Sequence, residues 1–309
     1  MLKDQDPNIR IDVLVNSLGP HEQVRVREPF CGLQRLGVDC KLNRYPFRLR
    51  KNIRPKSLVV WQRPRPESWQ QQLDILRWIR AQGSILLTEW DDHPDLFPIN
   101  VQADLKGMDM APIRLCHALH TSSEVLAGAL CNLQPRSIVI PNAIWRIPAL
   151  NDGKHREAKQ IRIFIGNQNR ADEHSQLTKP LIDWCASEPK LKIVIVGDSH
   201  LAAQLPQNHV ERYPLLPYLS FRKVLRSCHI ALMPLNDNLA NRCKTPIKWM
   251  ESAAESVAVV ASHCLYNQSI KHGNTGMLAA NPTSMVQMSQ WLAYNRKELI
   301  EIVRRAHHD

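Results

Sequence analysis

Residues 228–262 have the sequence CHIALMPLNDNLANRCKTPIKWMESAAESVAVVAS, and this stretch decides the fold. It contains two short apolar runs, residues 229–233 and 257–261, which are typical of strands in a parallel sheet that is covered on both faces. Between them, Thr245 and Pro246 predict a helix start. Threonine can accept from free backbone N–H groups, and proline is tolerated at the first helical position. The stretch is therefore predicted to form a strand, a polar loop, a helix and a second strand.

Charged side chains gather near the start of this helix. Lys244, Lys248 and Glu251 follow one another closely, and a helix N-terminus carries free N–H groups and a partial positive charge that favour a bound anion. Glu251 could accept hydrogen bonds from hydroxyl groups. A diphosphate joined to a sugar or a ribose would satisfy both halves of the arrangement. The alternative is that these residues form only the solvated face of an amphipathic helix.

The composition sets the class of protein. A chain of 309 residues is long enough for two domains with substantial cores. Its 40 Lys and Arg residues outnumber its 29 Asp and Glu residues, and the formal net charge of +11 indicates an anionic partner such as a nucleotide, a membrane surface or a nucleic acid. The eight cysteines form no C-x-x-C pair, which favours buried thiols over a zinc site or a disulfide framework. Reduced thiols, and a charged N-terminus without an apolar signal segment, predict a cytoplasmic protein.

The first half of the chain alternates predicted strands and helices. A strand near residues 11–15 leads to a turn at Gly19, and another near residues 85–88 leads to Asp91 and Asp92. Ligands in open α/β sheets bind beyond the carboxyl ends of the strands, so Gly19 is a candidate cleft residue, although an ordinary tight turn fits equally well. Clustered acids can bind a divalent metal, but we expect no metal site here.

Residues 44–56 form a basic segment. Nucleic acid, an anionic membrane surface or an acidic acceptor would each suit it, and so would a plain solvated loop. Because the sequence has no RNP, KH or zinc-finger pattern, nucleic acid is the least favoured partner. The cations surround Tyr45 and Phe47 and are Arg44, Arg48, Arg50, Lys51, Arg54 and Lys56.

The second half begins after a change in composition. Residues 146–160 contain Pro, Gly and many charges without apolar periodicity, and this predicts a linker. A new α/β unit follows from residue 161. We therefore predict an N-terminal domain over residues 1–150 and a C-terminal domain over residues 151–309.

The opening stretch resembles the donor-binding region of GT-B glycosyltransferases of the retaining family-4 type, in particular a branch with the pattern K-[ST]-x-x-K-x-x-E. Here the pattern is Lys244-Thr245-Pro246-Ile247-Lys248-Trp249-Met250-Glu251, and it is followed by the strand VAVVAS. The chain departs from the family at Cys243, where a glutamate is usual, at Ser256, where glycine is usual, and at Ala258, where proline is usual.

The resemblance implies an α/β protein with two Rossmann-like domains facing each other across a cleft. It implies transfer of a sugar from a nucleotide-sugar donor to an unidentified acceptor, with retention of configuration and without a cofactor. Lys244 and Lys248 would stabilise phosphate charge, and Glu251 would hold the ribose or sugar. Further donor-binding residues implied in this way are Gly166, Asn167, Arg170, Leu215, Asn238, Asn241 and Thr245, and the acceptor side of the cleft would carry Gly19, Asp91 and Asp92.

Two other functions stay open. The departures at Cys243, Ser256 and Ala258 allow a noncatalytic nucleotide- or sugar-binding protein on a degenerate GT-B scaffold. A nucleic-acid-binding protein that uses residues 44–56 rests on charge alone. Turnover of a donor separates the first of these from an enzyme, and a steep salt dependence of oligonucleotide affinity would favour the second.

Overall fold

A computed structural model describes residues 9–16, 19–44, 49–156, 158–166 and 171–309. The chain divides into two compact units: unit 1 comprises Met1–Asn142 and Arg242–Thr245, and unit 2 comprises Ala143–Asn241 and Pro246–Asp309. Each unit contains a six-stranded parallel sheet with helices on its faces. This confirms the predicted α/β class with two Rossmann-like halves. In the described part of the chain, no helix is both long and apolar enough to span a bilayer.

Unit 1 has the strand order β2-β1-β3-β4-β5-β6. Neighbouring residues of its strands supply opposite cores, as Val59 and Val60 do in β3, so the strands are apolar runs rather than alternating patterns. The strands are β1 Arg10–Val15, β2 Asp39–Arg44, β3 Ser57–Gln62, β4 Ile85–Trp90, β5 Ala118–Thr121 and β6 Ser137–Val139. The helices are α1 Pro20–Glu22, α2 Glu28–Arg35, α3 Leu49–Asn52, α4 Trp69–Ala81, α5 Ile99–Gly107, α6 Ala111–Arg114 and α7 Glu124–Leu130, with a π-helix at Gln23–Arg27.

Unit 2 has the strand order β12-β11-β10-β7-β8-β9. The two predicted strands of the opening stretch are its neighbouring β10 and β11, which pair in parallel. The strands are β7 Ile161–Gly166, β8 Leu191–Val196, β9 Val210–Tyr213, β10 Ile230–Met233, β11 Ala258–Ser262 and β12 Met277–Ala279. The helices are α8 Gly153–Arg156, α9 Ala171–Ser175, α10 Thr178–Ser187, α11 Ser199–Gln204, α12 Tyr218–Arg226, α13 Leu239–Arg242, α14 Ile247–Ala254, α15 His263–Tyr266, α16 Pro282–Tyr294 and α17 Arg296–His308.

The predicted helix between β10 and β11 is α14, but its start differs from the prediction. Pro246 is the N-cap residue, and no side chain caps the helix. The Thr245 hydroxyl instead accepts a hydrogen bond of 2.6 Å from Asn142 Nδ2. The assignment of Thr245 as a cap is therefore wrong, because a long-range partner occupies the hydroxyl that local sequence offered to the helix.

The linker interpretation of residues 146–160 is wrong for residues 151–156, which pack on unit 2. Lys154 Nζ donates to the carbonyl oxygens of Arg226 at 2.8 Å and Glu255 at 3.1 Å. His155 in α8 is completely buried. Lys154 thus binds backbone carbonyls of unit 2, and composition alone does not distinguish such a lysine from a solvated one.

Ser256, which stands where the related pattern has glycine, ends α14 in the left-handed conformation with φ +59°. Its N–H donates to the carbonyl oxygen of Ala253, and the N–H of Val257 donates to that of Ser252, so the last carbonyls of the helix are satisfied. The Ser256 hydroxyl accepts a hydrogen bond of 2.9 Å from the Asn151 N–H. The serine therefore joins the end of α14 to residues 151–156.

His229 makes unit 2 sensitive to acid. Its ring lies 5.4 Å from that of His155, and its Nδ1 accepts from the Arg162 N–H at 3.0 Å. Burial, with the charges of Lys154, Arg296 and Arg162, lowers the pKa of His229 from 6.5 to about 4. Between these two pKa values, His229 is protonated in the unfolded chain but not in the folded chain. The free energy of unfolding therefore falls as the pH drops from 6.5 towards 4.

We expect His229→Asn, whose amide oxygen can still accept from Arg162, to flatten this pH dependence. The difference from the wild type should reach about 2 kcal/mol near pH 4.5 in urea unfolding. His263→Asn, at an exposed histidine, is the matched control. Equal pH slopes for His229→Asn and the wild type would contradict the assignment.

Candidate functional site

Two polar residues of α14 and one that follows the helix are buried. Glu251 is 5% exposed, Ser252 is 1% exposed and Glu255, which follows the helix, is 4% exposed. The alternative that they form a solvated helix face is therefore wrong. They lie in a core between elements, where a carboxylate needs a partner.

Helix α12 supplies partners for these carboxylates. Arg222 Nε donates to Glu255 Oε1 at 2.7 Å, and Arg226 Nη1 donates to Glu255 Oε2 at 3.1 Å. Arg222 also donates to the Tyr218 hydroxyl at 3.2 Å. Although burial lowers it, the pKa of Arg222 is raised overall by Tyr218, Glu255 and Glu251. The guanidinium therefore stays charged inside this carboxylate cluster.

Lys248 lies against an aromatic wall. Its ammonium nitrogen is 5.3 Å from the centroid of the Phe221 ring, a cation–π geometry. Phe221 packs edge-on against Phe164 with centroids 5.5 Å apart. A Cβ atom at Gly166 would lie 2.3 Å from Phe164 and 3.3 Å from Phe221. Only glycine fits there. The predicted site residues Gly166 and Lys248 therefore both adjoin the Phe221 ring.

The polar loop before α14 is organised by its asparagines. Asn238 Oδ1 accepts from the Asn241 N–H at 2.8 Å. The buried Asn241 amide donates to the Asn236 carbonyl at 2.8 Å and to Glu173 Oε1 at 3.2 Å. Asn238 is exposed, and Leu215, after β9, is 56% exposed. Of the other predicted donor residues, Asn167 and Arg170 lie outside the described part of the chain.

Two of the residues predicted on the donor side belong to unit 1. Lys244 Nζ donates to Asp92 Oδ1 at 3.0 Å, and Thr245 bonds with Asn142 as described above. Cys243 is completely buried in the core of unit 1, and its carbonyl oxygen accepts from Ser123 Oγ at 2.7 Å. The structure therefore places Lys248 and Glu251 in unit 2 and Lys244 in unit 1. Cys243, at the position of the usual glutamate, is a core residue.

The predicted acceptor-side acids bind arginine. Arg63 Nε donates to Asp91 Oδ1 at 2.7 Å, and its Nη2 donates to Asp92 Oδ2 at 3.2 Å. Burial, followed by the charge of Arg63, lowers the pKa of His21. Both acids act in the opposite direction. Gly19 adjoins this ring, since a Cβ atom there would lie 3.1 Å from His21 Cε1. Unit 1 thus brings Gly19, Asp91 and Asp92 into one neighbourhood.

These acids form no metal centre within the described residues, which contain no group of three or more His, Cys, Asp or Glu side chains that could hold an ion. The cations beside them explain the arrangement. Asp91 and Asp92 share Arg63, and Asp92 also accepts from Lys244. A carboxylate neutralised in this way has less charge to offer a cation.

A second polar network in unit 1 surrounds Arg25, which lies on the π-helix and is 4% exposed. The guanidinium donates to Glu89 Oε1 at 2.7 Å, to the Ile140 carbonyl at 2.7 Å and to Asn142 Oδ1 at 3.0 Å, and it lies 3.1 Å from His120 Nε2. Burial and Asp91 raise the pKa of Glu89 against the effect of Arg25. Burial and Arg25 lower the pKa of His120 to about 3, so this ring stays neutral.

Arg25, Phe221 and Arg222 were missed by the sequence analysis. Arg25 bonds with residues 64 and 115 positions away, and such pairings leave no local pattern. The sequence signal for Arg25 was weak. Although π-helical turns occur frequently at functional sites, the sequence QVRVR does not predict such a turn. Phe221 and Arg222 follow each other on an ordinary amphipathic helix without a motif.

We expect Arg25→Met to lower the free energy of unfolding by roughly 3–5 kcal/mol, because it leaves the Glu89 carboxylate buried without its cation. Glu89→Gln added to Arg25→Met should recover part of this loss. Arg27→Met, at an exposed arginine of the same π-helix, should change stability by less than about 1 kcal/mol. Equal losses for the two arginine variants in urea unfolding would show that the network does not stabilise unit 1.

The comparisons with known proteins agree with this architecture. Residues 159–295 match the family model "Glycosyl transferases group 1". No curated protein matches the chain by sequence. Among solved structures, the chain resembles HepE of Anabaena in complex with UDP-glucose, with a TM-score of 0.66 and 12% identity over 97% of this chain and 94% of that one.

Two further solved structures have the same fold. Sucrose-phosphate synthase from Thermosynechococcus elongatus has a TM-score of 0.64 at 10% identity, and a glycosyltransferase from Rickettsia africae has a TM-score of 0.62 at 13% identity. Each comparison covers 97% of this chain and 93% of the other. Residues 159–295 therefore form a domain of the group 1 glycosyltransferase type, and the chain as a whole has the GT-B fold of these solved structures.

Proposed function

We propose that the protein transfers a sugar from a nucleotide-sugar donor to an acceptor that is not yet identified, with retention of configuration. One observation carries the proposal. Lys248 and Glu251 lie on the same short helix, the first against the Phe221 ring and the second buried beside Arg222. Both belong to the domain that matches the group 1 family model.

The chemistry follows from these positions. As the bond to the sugar breaks, negative charge develops on the departing diphosphate, and a cation fixed beforehand stabilises that charge without reorganisation. We assign this task to Lys248, and to Lys244 as the sequence pattern predicts. Glu251, as a carboxylate, can only accept hydrogen bonds and is therefore suited to hydroxyl groups of the ribose or sugar. The leaving phosphate would help to deprotonate the acceptor.

The remaining predicted residues keep their proposed roles around the donor. Gly166 leaves room for the Phe164 and Phe221 rings at the end of β7, and Asn241 holds the loop that carries Asn238. The exposed Leu215 offers apolar surface to a base. Because the HepE structures contain UDP and UDP-glucose, uridine nucleotides are the first donors to test.

A noncatalytic binding protein is the second candidate, and Cys243 is the observation that favours it. This residue supplies a buried thiol to the core of unit 1 in place of a carboxylate. Thermal shift with UDP, GDP, ADP and CMP would identify the nucleotide, since a ligand at about 100 times its dissociation constant adds roughly 2.7 kcal/mol of stability. Release of nucleoside diphosphate from the matching nucleotide-sugar in the presence of acceptor candidates would then separate an enzyme from a binder.

We further propose a cytoplasmic location with peripheral contact at an anionic membrane surface through residues 44–56, of which 45–48 lie outside the described residues. The eight cysteines support a reducing compartment, since all are free in the structure. Nucleic acid is not among the proposed partners.

We expect Lys248→Ala to weaken binding of the nucleoside diphosphate by roughly 1.5–3 kcal/mol, the range for a hydrogen bond to a charged group, while affinity for the bare nucleoside changes much less. Glu251→Gln should weaken binding of the nucleotide but leave competition by pyrophosphate nearly unchanged. Isothermal titration measures both effects. Lys244→Ala shows in the same assay whether this lysine, which is paired with Asp92, also acts on phosphate.

Lys223→Ala, at an exposed lysine of α12, is the charge-matched control for Lys248→Ala and should bind like the wild type. If Lys248→Ala and Glu251→Gln fold normally and also bind like the wild type, the donor site is assigned to the wrong residues.

We also propose that donor binding needs no metal, because the residues proposed to bind the phosphates are lysines rather than a carboxylate cluster. Donor affinity should survive EDTA within about twofold, as expected when a fixed cation replaces the charge of a metal ion. A loss greater than about tenfold, restored by Mg²⁺ or Mn²⁺, would make Asp91 and Asp92 the candidate ligands instead.

A further inference from the structure

A groove of about 680 Å³ lies between α3 and α4 of unit 1. Its volume is within the range of ordinary ligand sites. None of the residues assigned above to the donor or the acceptor lines it. The lining residues are Leu49, Arg50, Lys51, Ser68, Gln70, Gln71, Asp74, Ile75 and Trp78.

The floor of the groove is apolar. Leu49, Ile75 and Trp78 are half-buried and pack on the core beneath the sheet, but each keeps surface open to the groove. Trp69, at the first turn of α4, is a further exposed aromatic residue, 37% accessible. Tryptophans with one apolar and one wet side are enriched at membrane interfaces. The floor therefore suits an apolar group that arrives from the surface.

One wall of the groove is cationic and unneutralised. Arg44 and Arg54 of the same basic segment form ion pairs with Glu22 and Asp39. Arg50 and Lys51 are exposed, and among the described residues neither has an acidic partner. Two cations with free donors beside an apolar floor complement an anion that carries a hydrocarbon part.

The opposite wall does not cancel this charge. Its one acid, Asp74, accepts from Gln70 Nε2 at 2.7 Å and lies 3.5 Å from Arg77 Nη1. The first turn of α4 also faces the groove through Ser68 and Gln71, and the partial positive charge of a helix start adds to the field of the two cations. The groove as a whole therefore favours a negative ligand.

We propose that this groove binds an anionic phospholipid presented by a membrane, with the phosphate at Arg50 and Lys51 and the apolar part against Ile75 and Trp78. A free phosphate would leave the apolar floor exposed to water and gain nothing from it. A nucleic acid needs cations that follow its backbone, whereas here they stand on one wall. The inference makes the proposed membrane contact specific, and it is independent of sugar transfer, because binding is measured without a donor.

The test uses the full chain and vesicles of phosphatidylcholine, with or without phosphatidylglycerol. The wild type should bind the anionic vesicles at least about tenfold more strongly than the neutral ones. Arg50→Gln with Lys51→Gln should remove most of this preference. Lys159→Gln with Lys297→Gln, at two exposed lysines of unit 2, makes the same charge change and should retain it within about twofold.

A second measurement locates the lipid. Phosphatidylglycerol with brominated acyl chains should quench tryptophan fluorescence of the wild type, and Trp78→Phe should lose a clear part of that quenching while still binding. Three results would overturn the proposal: equal binding to neutral and anionic vesicles, equal losses for the two double variants, or unchanged quenching in Trp78→Phe. Displacement of the protein from vesicles by inorganic phosphate or an oligonucleotide at equal ionic strength would identify a different ligand. Retained UDP binding in the variants keeps this outcome separate from the proposed function.

Discussion

The buried carboxylate of Glu255 has to be neutralised, and the way in which the chain does so fixes three elements of unit 2. Arg222 and Arg226 reach it from α12, and the backbone carbonyl of Glu255 accepts from Lys154 in α8. The end of α14 is thereby bound to a helix and to residues 151–156. Because α14 also carries Lys248 and Glu251, the same ion pairs determine where the two proposed donor-binding groups lie. Removing one partner of such a pair leaves an uncompensated charge in the core, which is why the cluster constrains both stability and function.

In unit 1, a buried carboxylate is neutralised by a single arginine. Arg25 meets a carboxylate, a backbone carbonyl, an amide and a neutral imidazole, so all of its neighbours can accept from it. The Asn142 amide then donates to Thr245, a residue that the chain supplies from the middle of its second half. With Cys243 in the core and Lys244 on Asp92, residues 242–245 are anchored in unit 1 by an apolar contact, hydrogen bonds and an ion pair. The departure from the family pattern at position 243 thus has a packing role.

The parts of the molecule that the sequence predicts correctly are those with a local cause. Apolar runs such as residues 229–233 are typical of covered strands, and Lys248 and Glu251 fall on one helix because of their spacing. The misjudged parts depend on partners that are distant in sequence. Thr245 does not cap α14 because its hydroxyl accepts from Asn142. Residues 151–156 pack within unit 2 through hydrogen bonds with Ser256 and Glu255. The polar side of α14 is buried because Arg222 lies opposite. Local patterning distinguishes polar from apolar positions, but it does not show whether a polar position has a partner.

Ser256 has a consequence for how the chain can change over time. A left-handed serine costs roughly 1–2 kcal/mol relative to glycine, but its hydroxyl contributes a hydrogen bond to Asn151 worth roughly 0.5–1.5 kcal/mol, and a non-glycine residue also restricts the unfolded chain. These effects are similar in size and opposite in sign, so exchange between serine and glycine at this position is close to neutral. The backbone conformation at the end of α14 can therefore stay the same while residue 256 changes between serine and glycine. A missing glycine here measures divergence in sequence and is no sign that the scaffold has decayed.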